Sequence, residues 1–172
     1  AHIEHYSVKS GKSVNYADAL ETYQELKYLR DIYSQVAPKN AKFTLNLEKF
    51  FFKYLDELCL MSARKMLPVV QEAIQHDSFE PLDLNNGSGY SSSVLDIFKM
   101  INETFTMFKS YGWQNEVHLA EIYTKLLKAA SDALVYYSAR MMNMIIGDLS
   151  EEQLNAPSAA TKEQNRKSGA WI

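Results

Sequence analysis

Between Tyr16 and Val36 the apolar residues fall at Tyr16, Leu20, Tyr23, Leu26, Leu29, Ile32, Tyr33 and Val36. Only an α-helix gathers that three-four spacing onto one face. Pro38, which has no amide hydrogen to donate, breaks the run together with Asn40. A second segment, 45–66, carries Leu47, Phe51, Tyr54, Leu55, Leu58 and Met61 on one stripe. Pro68 sits where a short further helix, 67–75, would begin, and that piece ends near His76-Asp77. A third helix is expected over 93–111. Ser93 and Asp96 resemble a capping box at its start, its stripe is Val94, Phe98, Ile101, Phe105 and Phe108, and Gly112 stops it. The fourth, 116–146, has one wide face from Leu119 through Ile122, Tyr123, Leu126, Ala130 and Ala133 to Leu134, Tyr137, Met141 and Ile145. Glu121–Lys125 and Lys128–Asp132 make i,i+4 pairs on its other side.

Few turn residues interrupt these stripes. With six glycines in 172 residues, little is left for β-hairpins. Asp77 to Ser91, with Pro81, Asn85, Asn86, Gly87 and Gly89, is the clearest loop, and its 81–91 part is expected to be exposed and protease-sensitive. The fold class is therefore all-α, an elongated antiparallel helical bundle. Residues 1–15 read as a flexible N-terminal segment and 16–147 as the bundle. Residues 148–172, rich in Ala, Ser, Glu, Gln and Asn and interrupted by Pro157, read as a connector to the rest of a longer protein. Trp171 would open its next helix. Ala1 in place of Met, with no signal peptide, fits the same expectation.

Composition narrows the function classes. Eighteen Lys and Arg against twenty-one Asp and Glu give a net charge of −3, which removes the basic field that bulk nucleic-acid binding needs. A single cysteine, Cys59, cannot form an intramolecular disulfide or a cysteine zinc cage, and suits a reducing cytosol. Lying among Leu58, Leu60 and Met61, it reads as a small buried hydrophobe. No run approaches the ~18 apolar residues of a membrane span.

Catalytic signatures are weak. His2-Ile3-Glu4-His5 matches neither H-E-x-x-H nor H-x-x-E-H, and no Glu-x-x-His pair exists for a di-iron bundle. Gly87-Ser88-Gly89 lacks the lysine and the preceding strand of a phosphate loop. His76 and His118 flank loops and read as solvated. No metal, no cofactor and no enzymatic activity are expected. The methionine run Met141, Met142, Met144 and the triple Phe50-Phe51-Phe52 supply more apolar surface than one bundle face can hold, because adjacent helical residues diverge by ~100°. Some of it should meet partners or adjoining helices.

Within this frame an ordered set of motifs stands out. Phe50-x-x-x-Tyr54-Leu55 is followed by Asp77, Phe79 and Pro81, then by Ser92-Ser93-Val94-Leu95-Asp96-Ile97-Phe98. Asn102-Glu103-Thr104-Phe105, Lys109, Gly112 and Trp113 come next, ahead of a helix with Tyr123, Leu127, Ala130 and Tyr137. Over about 43–150 this resembles the first homology region of the MUN-domain family, the uncoordinated-thirteen group of vesicle-priming and SNARE-assembly factors. The flavour of Ser150-Glu151-Glu152 and the tail is that of fungal members. The chain has Leu58-Cys59 where the family often has Trp-Leu, and it lacks flanking C2-domain strands.

The resemblance implies a non-enzymatic segment of a tethering-complex-like helical rod. It would support vesicle docking, priming and SNARE assembly in exocytosis, in the cytoplasm and peripherally at the plasma membrane or sites of secretion, with membrane association through modules outside this segment. It also implies a partner, a syntaxin-type SNARE, and a site: Asn102 and Phe105 match an Asn-x-x-Phe pair that lines a surface pocket in neuronal relatives. Phe105 belongs to the apolar stripe of its helix as well, so the sequence assigns it both core and groove. A helical signalling scaffold or adaptor without SNARE activity is the alternative reading.

Overall fold

In the computed structural model, residues 14–38, 41–81 and 89–155 are described, with side chains to 150. The His2-Ile3-Glu4-His5 motif, residues 82–88 of the expected loop and the tail from 156, with Pro157 and Trp171, lie outside them. Among the described residues four α-helices account for the regular structure: α1 (Tyr16–Val36), α2 (Leu47–His76), α3 (Ser92–Ser110) and α4 (Glu116–Asn155). Among the described residues there is no strand, and the fold is all-α. No helix among them is long and apolar enough to cross a membrane. The chain divides into two compact units, the first ending at Leu134 and the second running from Val135.

In the first unit α2 is the shared wall. Its buried residues Leu47, Phe51, Tyr54, Leu55, Cys59, Met66, Val70 and Ile74 follow the three-four spacing along its whole length. Arg30, late in α1, meets Glu48 near the start of α2, while the earlier Asp18, Ala19 and Thr22 lie beside the later Phe51 and Tyr54, so α1 and α2 run antiparallel. Phe52 of α2 stacks on His118 in the first turn of α4, and Cys59, further along α2, donates its thiol to the Ile122 carbonyl, so this part of α4 runs in the same direction as α2; Lys125 reaches back to Asp56. The turn before α4 is set by Gly112, whose φ of 57° is left-handed and whose N–H donates to the Lys109 carbonyl; an added Cβ there would run into the Lys27 ammonium.

Three expectations are corrected. Pro68 does not begin a helix; it lies inside the 30-residue α2. Met66 and Val70, each at most 1% exposed, hold both sides of it in the core, while Pro68 and Arg64, whose carbonyl loses its usual donor, face water. The helix expected over 116–146 continues through Gly147 to Asn155, into the stretch read as a partly helical connector. The start of α3 is not a Ser93–Asp96 box either. Ser91 is the N-cap and makes no side-chain cap bond. Asp77, just past the end of α2, supplies the carboxylate: Ser93 N–H donates to Oδ2 at 3.0 Å and Ser92 Oγ to Oδ1 at 3.2 Å. The same Oδ1 accepts from Phe79 N–H at 2.9 Å, which fixes Phe79 at a φ of 57°. A side chain in that region costs of order 1–3 kcal/mol.

Burial also redraws the stripes. In α1, Leu20 and Tyr23 are buried, but Leu29, Ile32, Tyr33 and Val36 are exposed. At that level the inward position belongs to Arg30, whose Nη1 donates to both Glu48 oxygens at 2.8 and 3.0 Å, the side chains being 14% and 9% exposed. Tyr23 donates to the same carboxylate at 3.3 Å and stacks on Trp113, ring centroids 4.5 Å apart. In α2, Met61 faces out. In α3, Ile97 and Phe108 are buried and Phe98 is 58% exposed. His118 is half-buried, not solvated: it stacks on Phe52 at 3.9 Å, and its Nδ1 accepts from Trp113 Nε1 at 3.2 Å. In the second unit, Ile145, expected on the buried face of α4, is 55% exposed.

Two stability measurements test these assignments. Glu48→Gln leaves the Arg30 charge in the wall without its counter-charge. Breaking such a pair costs roughly 3–5 kcal/mol when fully buried, and the residual exposure of Arg30 places the expected loss in urea denaturation near the lower end. A Glu48→Leu/Arg30→Met double variant should recover most of it. For Asp77, burial is the largest single influence and pushes the carboxyl up, but the hydroxyls and amides of residues 79 and 91–93 outweigh it and hold the group well below the usual aspartate range. A carboxyl depressed on folding contributes stability that is present above its unfolded pKa and lost as pH falls through the folded one. Asp77→Ala should therefore cost about 0.5–2 kcal/mol at neutral pH. It should also flatten the decline of stability below about pH 4.

Candidate functional surface on α3

The two residues singled out by the sequence fall on one side of α3. Asn102 is exposed. Phe105, one turn further on, is half-buried and lies nearly parallel to Tyr123 of α4, with an interplanar angle of 15° and centroids 5.8 Å apart. Phe105 thus divides its ring between the α3–α4 contact and the surface.

The same side extends toward the start of the helix. Leu95 and Phe98, 50% and 58% exposed, lie seven and four positions before Asn102. At ~100° per residue, positions 95, 98, 102 and 105 share a strip of α3 about 80° wide. The result is an apolar, partly aromatic strip with one amide in its middle. The Asn102 side chain can donate two hydrogen bonds and accept on its oxygen, and the rings around it supply contact area. Leu95 and Phe98 are missed as site residues by the sequence, which places Phe98 in the core stripe. The spacing to Asn102 is the signal that could have found them.

α4 anchors this side of the bundle. Lys125 bonds Asp56 at 2.6 Å and Glu121 at 2.7 Å, two hydrogen bonds to carboxylates that hold its ammonium protonated well above the usual lysine range. The Glu121–Lys125 and Lys128–Asp132 pairs expected from the sequence are both formed. Cys59 is fully buried, and burial, followed by the nearby Asp56 charge, pushes its thiol up to about 11. It is a core residue with little thiolate at neutral pH. Among the described residues, no group of three or more His, Cys, Asp or Glu is placed to hold a metal ion. The surface therefore offers contact chemistry, hydrogen bonds and apolar area.

Half-burial fixes what truncation should do. A core Phe→Ala change costs roughly 3–5 kcal/mol. Phe105→Ala should cost about half of that, whereas Asn102→Ala and Phe98→Ala should stay within about 0.5 kcal/mol of the unaltered chain. Thermal melts of the three variants check the ordering. A Phe105→Ala loss equal to a full core truncation would place the whole ring inside.

The chain is 45% identical over 142 residues to the uncharacterized protein YOR296W of Saccharomyces cerevisiae, an alignment covering 83% of this chain and 11% of that protein. It is 22% identical over 157 residues to the uncharacterized protein C11E3.02c of Schizosaccharomyces pombe, covering 90% of this chain and 12% of that protein. The chain thus spans about a tenth of the length of the curated relatives it matches. No family model and no solved structure matches it.

Proposed function

We propose that this chain is a non-enzymatic helical segment of a MUN-type vesicle docking and priming factor, and that it supports SNARE assembly during exocytosis at the plasma membrane. The observation that carries the reading is the exposed Leu95–Phe98–Asn102 strip ending at half-buried Phe105. It lies within the stretch that resembles the family, and it includes the Asn-x-x-Phe pair. An all-α architecture is what such a segment requires. The strip has the chemistry to bind a helix of a syntaxin-type SNARE: rings against its apolar residues, and the Asn102 amide against a backbone carbonyl or a polar side chain.

The mechanism is differential binding. A surface that holds the open form of a SNARE more tightly than the closed form shifts the equilibrium by the difference between the two binding free energies. No bond is made or broken. A preference of about 1.4 kcal/mol is worth tenfold. Attachment to the membrane falls to modules outside this segment.

Added to a closed syntaxin-type SNARE and its partner SNAREs, the chain should accelerate complex assembly. Phe98→Ala and the Asn102→Ala/Phe105→Ala double variant should each remove about tenfold of that acceleration. Phe98→Ala is the cleaner arm, since its melting temperature should not move. Binding to the SNARE with no change in assembly rate would favour a helical scaffold instead. No binding at all would refute the reading.

A further inference from the structure

The other flank of α3 carries a second surface, unrelated to the strip around Asn102. Where α3 lies against α2, the seam opens into a groove of 460 Å³ floored by Met66, Val69, Met100 and Met107. It continues past Val69 into a second hollow of 300 Å³ that ends at His76 and Ser92. From Ser62 to His76 the groove follows about 21 Å of α2, the rise of fourteen helical residues. Positions 96, 100, 103, 104 and 107 line its α3 side, turned roughly 180° from the strip at 95, 98, 102 and 105.

The floor and the rim differ in character. Met66 is buried, while Val69, Met100 and Met107 are half-buried and present side chains to the opening. Methionine is unbranched and polarizable, and it fits itself to different apolar partners. At the His76 end the two walls bring acidic groups to one hollow: exposed Glu72 from α2 and exposed Asp96 from α3. Among the described residues neither makes an ion pair. At the other end Lys65 and Glu103 both line the groove, and Glu103 lies 4.0 Å from Lys99 of its own helix, so that end carries no net negative charge.

We infer that this groove docks an amphipathic helix from a partner protein, with an aliphatic stripe laid on the methionine floor and lysine or arginine beside Glu72 and Asp96. Helix-in-groove recognition of this kind needs a trough between two helices, three to four turns of length and anchors at i, i+3, i+4 and i+7. The groove supplies the trough and the length, and the bound helix would supply the anchors. The unpaired carboxylates choose a basic helix over an acidic one, because like charges brought together at a rim are unfavourable. The inference is independent of the proposed SNARE role, since it uses none of the residues of that strip.

The test uses the full 172-residue chain and two synthetic 18-residue helical peptides. Both carry leucine at i, i+3, i+4 and i+7; one is flanked by lysine and the other by glutamate. By fluorescence anisotropy the lysine peptide should bind at least tenfold more tightly than the glutamate peptide. Glu72→Lys/Asp96→Lys should reverse that order. Thr104→Arg, which fills the middle of the groove, should weaken the lysine peptide about tenfold. With methyl-labelled methionine, Met100 and Met107 should shift on addition of peptide while Met141, Met142 and Met144 stay in place. The Asn102→Ala/Phe105→Ala variant should bind the peptide unchanged. Equal binding of the two peptides would overturn the inference, as would shifts confined to Met141, Met142 and Met144, or an affinity indifferent to the charge reversal.

Discussion

Glu48 carries a carboxylate into the wall between α1 and α2, and that position makes sense only together with Arg30 and Tyr23. The guanidinium meets both oxygens and the phenol adds a third donor, so the charge enters the wall with hydrogen bonds already made. Because the pair is directional, it fixes where along α2 the α1 helix lies, which apolar contacts alone leave free to slide. The consequences spread outward. Tyr23, held by Glu48, stacks on Trp113; Trp113 donates to His118; His118 stacks on Phe52. Burial and the Glu48 charge push the Tyr23 phenol far up, so it remains a donor throughout the physiological range. One continuous polar and aromatic chain thus links α1, α2 and the start of α4, and α3 is suspended between its two neighbours from that frame.

The pattern of apolar spacing was enough to read the helices, because periodicity reports which side of a segment avoids water. α1 begins and ends where its stripe does, and α3 lies within a residue of the expected bounds at each end. Where the reading failed, a local rule lost to packing. Pro68 signals a helix start, yet Met66, Val70 and Ile74 hold α2 together across it. Asp96 has the spacing of a cap partner, but Asp77, distant in sequence, takes the role, and no local pattern could show that. Arg30 and Glu48 look like surface residues in any window; their burial depends on finding each other across the connection between α1 and α2. Trp113 and His118 were hidden for the same reason.

The candidate site was legible in kind but not in extent. Asn102 and Phe105 could be located only through a resemblance, and the periodicity of α3 does not say that the Phe105 ring lies half-buried against Tyr123. Leu95 and Phe98 were obscured because a helix with nine apolar residues in nineteen admits more than one stripe, and the sequence does not say which one faces the neighbours. In α3 the buried line runs through Ser93, Ile97 and Phe108. That places Phe98 outside, next to Asn102, and turns an assumed core residue into surface.

A helix packed on one side only needs one apolar face, and α3 has more than that. Its inward line is closed by α2 and α4, its Asn102 flank leaves Leu95 and Phe98 in water, and its opposite flank leaves the methionine floor open toward α2. Exposing large side chains at Leu95 and Phe98 gives up the stabilisation of about 1.5–3 kcal/mol that burying each would bring. Fold stability does not account for placing both there, since polar residues would serve the bundle equally well. Contact with other molecules, as proposed for both flanks, would account for it. On the two proposals, a short helix with two open flanks, braced by the longest helices of the bundle, would hold one partner on its Asn102 flank and another in the groove without either displacing the other.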